Sequence, residues 1–133
     1  VMTVLRNDPI LGQITTFGGH PVSAVASLAT LKTIEEENLM ELVQYKAGLF
    51  RKHLDHPAIK EIRNLGLMMA VEFDSFELLK SIIDKAIELG VLTDWFLYCD
   101  NSMRIAPPLI ISEDEIKEAC SIILQAISDC VGN

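Results

Sequence analysis

The sequence predicts an α+β fold class: a small antiparallel or mixed sheet with helices on one side. Three observations predict it. Apolar residues recur at helical spacing in four separate stretches of the chain. Between them lie short apolar runs rich in Val, Ile, Met and Phe, each bounded by Asn, Gly, Asp or Pro. The resulting order is helix, helix, strand, helix, strand, strand, helix, which suits a layer of helices laid on a small sheet.

The elements follow in chain order. Residues 1–20 show little periodicity and hold Val4, Ile10, Leu11 and Ile14 without a clear element to bury them. They end in Thr15-Thr16-Phe17-Gly18-Gly19-His20-Pro21. Pro21 suits the first position of a helix, where a missing N–H costs nothing. Val22, Val25, Ala26, Ala29, Leu31 and Ile34 continue the helix, and the alanines and serines among them suggest close packing against other backbone. Glu35-Glu36-Glu37-Asn38 ends that stripe and reads as a solvated helix end. Asn38 with Glu41 resembles a capping box, so a second helix is expected over 39–54, with Leu39, Leu42, Val43, Leu49 and Phe50 inward.

Asp55-His56-Pro57 reads as a turn, and residues 59–73 as a strand pair or a bent strand broken at Asn64-Leu65-Gly66. Leu67-Met68-Met69-Ala70-Val71 is apolar on both faces, which predicts burial deep in a sheet. Residues 75–89 form an amphipathic helix closed by Gly90. Short strands are expected over 91–96 and 103–106, separated by Asp100-Asn101-Ser102 and stopped by Pro107-Pro108. Ser112 with Glu115 is a capping box for a last helix that reaches about Cys130.

Composition narrows the function. At 133 residues, half of them hydrophobic, the chain can bury roughly two-thirds of its unfolded surface. A net charge of -8 argues against nucleic acid as a partner. No apolar run approaches the ~20 residues that span a bilayer, and no secretory leader is read at the start. A first residue Val1 rather than Met carries the expectation of a piece of something longer. The three cysteines, Cys99, Cys120 and Cys130, form no C-x-x-C pair and read as reduced structural thiols of a cytoplasmic protein. His20, His53 and His56 have no metal-ligand spacing, so no metal is expected.

Two places could carry chemistry. The Thr15-Thr16-Phe17-Gly18-Gly19 loop ahead of a helix combines hydroxyl donors, open backbone N–H groups and a positive dipole end, which is what an anion such as phosphate needs. The same residues also make an ordinary turn, and no Gly-Lys-Ser/Thr is present. Arg104 is a lone cation between apolar neighbours on a short strand, and its planar fork suits a carboxylate, either a ligand's or that of an acidic residue in the fold. Arg63 reads as structural. Lys32, Lys46, Lys52, Lys60, Lys80, Lys85 and Lys117 fall mostly on polar faces, where nothing would depress an amine pKa for Schiff-base chemistry.

Four segments in register resemble the class III (subgroup II) pyridoxal-phosphate (PLP) aminotransferases of the ornithine, acetylornithine and lysine 6-aminotransferase type. These are Ile14-Thr15-Thr16-Phe17-Gly18-Gly19-His20-Pro21, Glu35-Glu36-Glu37-Asn38-Leu39, Ile62-Arg63-Asn64-Leu65-Gly66-Leu67-Met68 and Met103-Arg104-Ile105-Ala106-Pro107-Pro108-Leu109. His20 stands where the family more often has Asn, and Asn64 where it has Gly.

The resemblance implies the C-terminal small domain of a fold-type I enzyme. Residues 1–20 would be an interface segment of the large domain, and 21–133 the small domain with its connecting helix. It implies that Thr16, with Thr15 beside it, binds the PLP phosphate of the partner subunit in a homodimer. Arg104 would bind the carboxylate of the amino-acid substrate or of a 2-oxo acid such as 2-oxoglutarate. The Schiff-base lysine lies upstream in the family, so no catalytic residue is expected here, and the fragment alone should neither hold the cofactor nor turn over. Asp94-Trp95-Phe96-Leu97-Tyr98 departs from the ornithine and acetylornithine patterns toward the lysine 6-aminotransferase side. The alternatives are a stand-alone small-molecule-binding regulatory domain, an oligomerisation module, or a racemase, aminomutase or decarboxylase on the same scaffold.

Overall fold

The computed structural model describes residues 16–131. Thr15 and the apolar residues Val4, Ile10, Leu11 and Ile14 lie outside the described residues. The chain divides into two compact units, Val1–Asn38 and Leu39–Asn133.

In the first unit, residues 16–19 form a turn that leads into helix α1, Pro21–Glu36, with proline in its first turn. None of the α1 residues is buried, against the expectation of close packing. Val22, Ala24, Val25, Leu28, Leu31 and Ile34 point to several sides of the helix rather than forming one stripe.

The second unit begins in consecutive turns. Asn38 ends the first unit in a left-handed conformation (φ 51) and residues 37–42 are turns, so helix α2, Val43–His53, starts later than the capping pattern predicts. Its N-cap is Leu42, with no side-chain bond, so Asn38 and Glu41 do not cap it. Leu39 and Leu42 fall in the turns, and the buried face is Val43, Ala47 and Phe50.

Strands β1, Glu61–Leu65, and β2, Met68–Glu72, make an antiparallel hairpin that pairs Leu65 with Met68 across Gly66 and Leu67. Helix α3, Phe76–Glu88, is capped by Ser75, whose hydroxyl accepts from the Leu78 N–H, and Gly90 follows at φ 105. Strands β3, Asp94–Phe96, and β4, Cys99–Ile105, complete a sheet of order β1-β2-β4-β3, antiparallel throughout. Helix α4, Glu113–Val131, closes the unit. Ser112 and Glu115 form its capping box: the Ser112 hydroxyl accepts from the Glu115 N–H, and the Glu115 carboxylate accepts from the Ser112 N–H.

Two expectations about the strands are corrected. The run 67–71 is not buried on both faces: Met69 and Val71 face the core, whereas Met68 is exposed and Ala70 half-buried. Helices cover only one face of the sheet, so alternate residues stay outside. Asp100-Asn101-Ser102 is not the turn between the last two strands; Leu97 and Tyr98 are. The triplet lies in β4, and its partners are on the other side, where Ser102 pairs with Glu72 and the Asn101 backbone and side chain bond Phe73. Opposite β3 the same triplet falls at the register shift between Trp95 and Phe96.

One continuous core holds the second unit together. Phe50 from α2, Leu79, Ile82 and Ile83 from α3, and Ile116, Ile123 and Ile127 from α4 pack with Met69, Val71, Met103 and Ile105 of the sheet. That sheet is the platform on which Arg104 sits.

Candidate functional site

The antiparallel register sets Arg63, Ala70, Arg104 and Asp94 in one row across all four strands. Side chains opposite one another in such a row share a face. Met103 and Ile105 turn inward and are buried, so Arg104 between them turns outward. Its guanidinium is about half exposed, which avoids the cost of burying it.

The two arginines of the row are held differently. Arg63 donates to Glu61 (2.7 Å), to Glu72 and to the Ser102 hydroxyl (3.2 Å). The Glu72 and Glu61 carboxylates hold it above the ordinary guanidinium range. Ser102 is fully buried on this side, covered by Arg63 and by the neighbouring Cys99 thiol. Arg63 is thus a structural clamp across β1, β2 and β4.

Arg104 has a single side-chain bond among the described residues, Nη2 to Asp94 Oδ2 at 3.3 Å. That is long for a charge-assisted bond, and the other guanidinium donors remain available. The other oxygen of Asp94 accepts from the Trp95 N–H at 2.8 Å, which orients the carboxylate. The Thr93 hydroxyl donates to the Arg104 carbonyl at 2.7 Å and ties the strands together at this point. The pair lies at a cavity of about 370 Å³ lined by Met68, Leu92, Thr93, Asp94, Arg104 and Ala106. Two charges, one hydroxyl and an apolar wall can hold a small molecule with a carboxylate head and a hydrocarbon body.

Of the sequence-predicted residues, Thr16 lies in the exposed turn of the first unit and Arg104 in the sheet of the second. At the start of α1, no side chain caps the helix and no acidic residue stands in its first turn. Gly19 adopts φ 78 with open space where a side chain would be. His20 packs edge-on to Phe17 rather than capping the helix. Asp94 and Thr93 were missed by the sequence reading. An acidic residue about ten positions before Arg104, on the facing strand of the same hairpin, was the signal.

The family model described as Aminotransferase class-III matches residues 1–127. The chain belongs to the class-III aminotransferase family. It is 37% identical over 120 residues to an acetylornithine aminotransferase of Caldanaerobacter subterraneus, covering 86% of this chain and 30% of that protein. It is 36% identical over 121 residues to an ornithine aminotransferase of Staphylococcus carnosus, covering 86% of this chain and 28% of the relative. The chain thus spans less than a third of the curated relatives it matches. Among solved structures, the omega transaminase from Pseudomonas jessenii in complex with PMP superposes with a TM-score of 0.80 at 31% identity, over 92% of this chain and 30% of that one. The small sheet with its helices is therefore a recurring part of larger aminotransferase chains.

Class-III aminotransferases are PLP enzymes, and the residues present fit one part of that cofactor. An uncapped helix start with a hydroxyl and an unobstructed glycine before it suits a phosphate. Among the described lysines, Lys60, Lys80, Lys85 and Lys117 pair with surface carboxylates, and Lys46 donates to the Leu109 carbonyl at 2.6 Å. Among the described residues no cluster of His, Cys, Asp and Glu could hold a metal, and no helix is long and apolar enough to cross a membrane.

Proposed function

We propose that this chain is the C-terminal part of a PLP-dependent aminotransferase that moves an amino group from an amino-acid or ω-amine donor to a 2-oxo acid such as 2-oxoglutarate. The single observation that carries the reading is Arg104: an outward guanidinium with donors to spare at the charged end of a cavity, within a class-III aminotransferase segment. When bound, PLP supplies an electron sink for bond changes at the amine-bearing carbon. Arg104 holds the carboxylate of donor or acceptor and so orients the molecule. Met68, Leu92 and Ala106 flank its hydrocarbon part. Thr16, with Thr15, donates to the cofactor phosphate of the partner subunit in a homodimer, and the first backbone amides of α1 add their dipole.

The α1 helix, apolar on several sides yet nowhere buried, fits a segment covered by the remainder of a longer protein. Unpaired Cys99, Cys120 and Cys130 suit a cytoplasmic setting. The chain by itself is inactive on this reading.

The test is a PLP titration of this chain beside the full-length protein that carries it, with visible cofactor absorbance and amino transfer as readouts. The full-length protein takes up cofactor and transaminates, and this chain does neither. Loss of a charge-assisted carboxylate bond in Arg104→Gln raises KM and lowers kcat/KM about ten- to hundredfold. Stoichiometric cofactor uptake by this chain alone would refute the assignment.

A further inference from the structure

We propose that Asp94 is the positioning residue for Arg104. It holds the guanidinium at one nitrogen, so that the remaining donors are already arranged when a substrate carboxylate arrives. The proposal rests on the reading that Arg104 binds that carboxylate, and adds what keeps the arginine in place.

Arg104 needs such a partner. Its side chain is about half exposed and stands on the face of the sheet that no helix covers. A long side chain in that setting samples many rotamers, and ordering it on binding costs affinity. A contact that orders it beforehand removes that cost.

Asp94 can do this because it is itself fixed. It is the direct partner of Arg104 in the β3–β4 ladder, and the Thr93 hydroxyl ties the two strands beside the pair. One oxygen of Asp94 accepts from the Trp95 N–H at 2.8 Å. Trp95 in turn packs edge-on against Phe76 of α3, with ring centroids 5.5 Å apart, and against the core. The backbone that carries the aspartate is thus anchored to a helix rather than to the ion pair.

The contact orients Arg104 without filling it. Only Nη2 meets Asp94, whereas Arg63 in the same row donates to two carboxylates and a hydroxyl. The guanidinium keeps its charge and its other N–H groups for a ligand. A carboxylate in contact with those groups stands nearer to Arg104 than to Asp94, so attraction outweighs the like charge of the aspartate. This holds equally for an amino-acid donor and for a 2-oxo acid. The half-exposed pair adds little to folding stability, so its effect falls on binding.

The experiment is a double-mutant cycle on the full-length protein, read as KM and kcat for 2-oxoglutarate at saturating amino donor. Asp94→Ala raises KM about three- to tenfold, the cost of ordering one rotamer-rich side chain on binding, with a smaller change in kcat. Asp94→Asn has one oxygen for two donors and gives part of that rise, and it carries the same comparison if the alanine variant does not fold. In an Arg104→Gln background neither substitution adds a further rise, because Asp94 acts through Arg104. A merely structural role would instead raise KM by the same factor in both backgrounds, and that result overturns the proposal. An Asp94→Ala variant with unchanged or lowered KM also overturns it, the lowered value meaning that Asp94 competes with substrate for the arginine. If Arg104→Gln raises KM while the Asp94 variants do not, only this proposal falls. If Arg104→Gln leaves KM unchanged, the carboxylate reading of Arg104 falls and this proposal with it.

Discussion

Gly66→Ala tests the hairpin that carries Arg63 to its partners. Gly66 sits between the paired residues Leu65 and Met68 with φ 58, and a Cβ added there meets Val43 Cγ1 of α2 at 2.6 Å. Two costs follow. Holding an alanine in the left-handed region costs about 1–2 kcal/mol. Forcing a methyl against a nearly buried valine costs about 1–3 kcal/mol more, because the surrounding core resists the shift. The expected loss is therefore about 2–5 kcal/mol, a large share of the stability of a domain this size. Urea unfolding followed by fluorescence of Trp95, which packs edge-on to Phe76, measures it. The same substitution in a Val43→Ala background lacks the steric partner, so its cost falls to about 1–2 kcal/mol, the conformational part alone. A loss below about 0.5 kcal/mol, or the same loss in both backgrounds, refutes the close approach of hairpin and helix.

Other expectations concern separate parts of the molecule. Cys120 is 1% exposed and burial pushes its thiol up to about 12, so it resists Ellman's reagent until the protein unfolds, while the partly exposed Cys99 and Cys130 react in the native state. Labelling of all three thiols at one rate in native conditions contradicts this. The Ser112 N–H, and then its hydroxyl, hold the Glu115 carboxyl below its usual value. A carboxyl lowered in the folded state contributes stability that is present above the unfolded value of about 4.3 and is lost as pH falls through the lower folded value. Acid titration by circular dichroism then gives a shallower dependence for Ser112→Ala than for wild type in that window, and parallel curves speak against the capping box. In the full-length protein, the loss expected for Arg104→Gln appears in KM, and a change confined to kcat argues that the guanidinium does not hold the ground-state substrate.

Much of the fold was legible because its signals are local. Ser112 announced the start of α4, the amphipathic spacing over 75–89 and Gly90 marked α3 and its end, and Pro107-Pro108 the end of β4. The start of α2 departs from the expected place for an equally local reason: the spacing of Asn38 and Glu41 predicts a cap, and the Asn38 backbone instead adopts the left-handed conformation that Asn tolerates. Asp100-Asn101-Ser102 looked like a turn because such residues favour turns. Pairing with β2 and the bond from Arg63 to buried Ser102 hold them in a strand instead.

By itself the sequence determined the presence of the four helices, the capping box of α4, the family motifs and the prominence of Arg104. Each of these depends on residues a few positions apart, or on side-chain types whose chemistry is the same wherever they stand. Only the tertiary structure decided what each arginine bonds. Strand register brings Glu72 and Ser102 to Arg63, which its own strand neighbour Glu61 also binds, and a single aspartate to Arg104. Register is set by which faces bury Met69, Val71, Met103 and Ile105 against the helices, a property of the whole core.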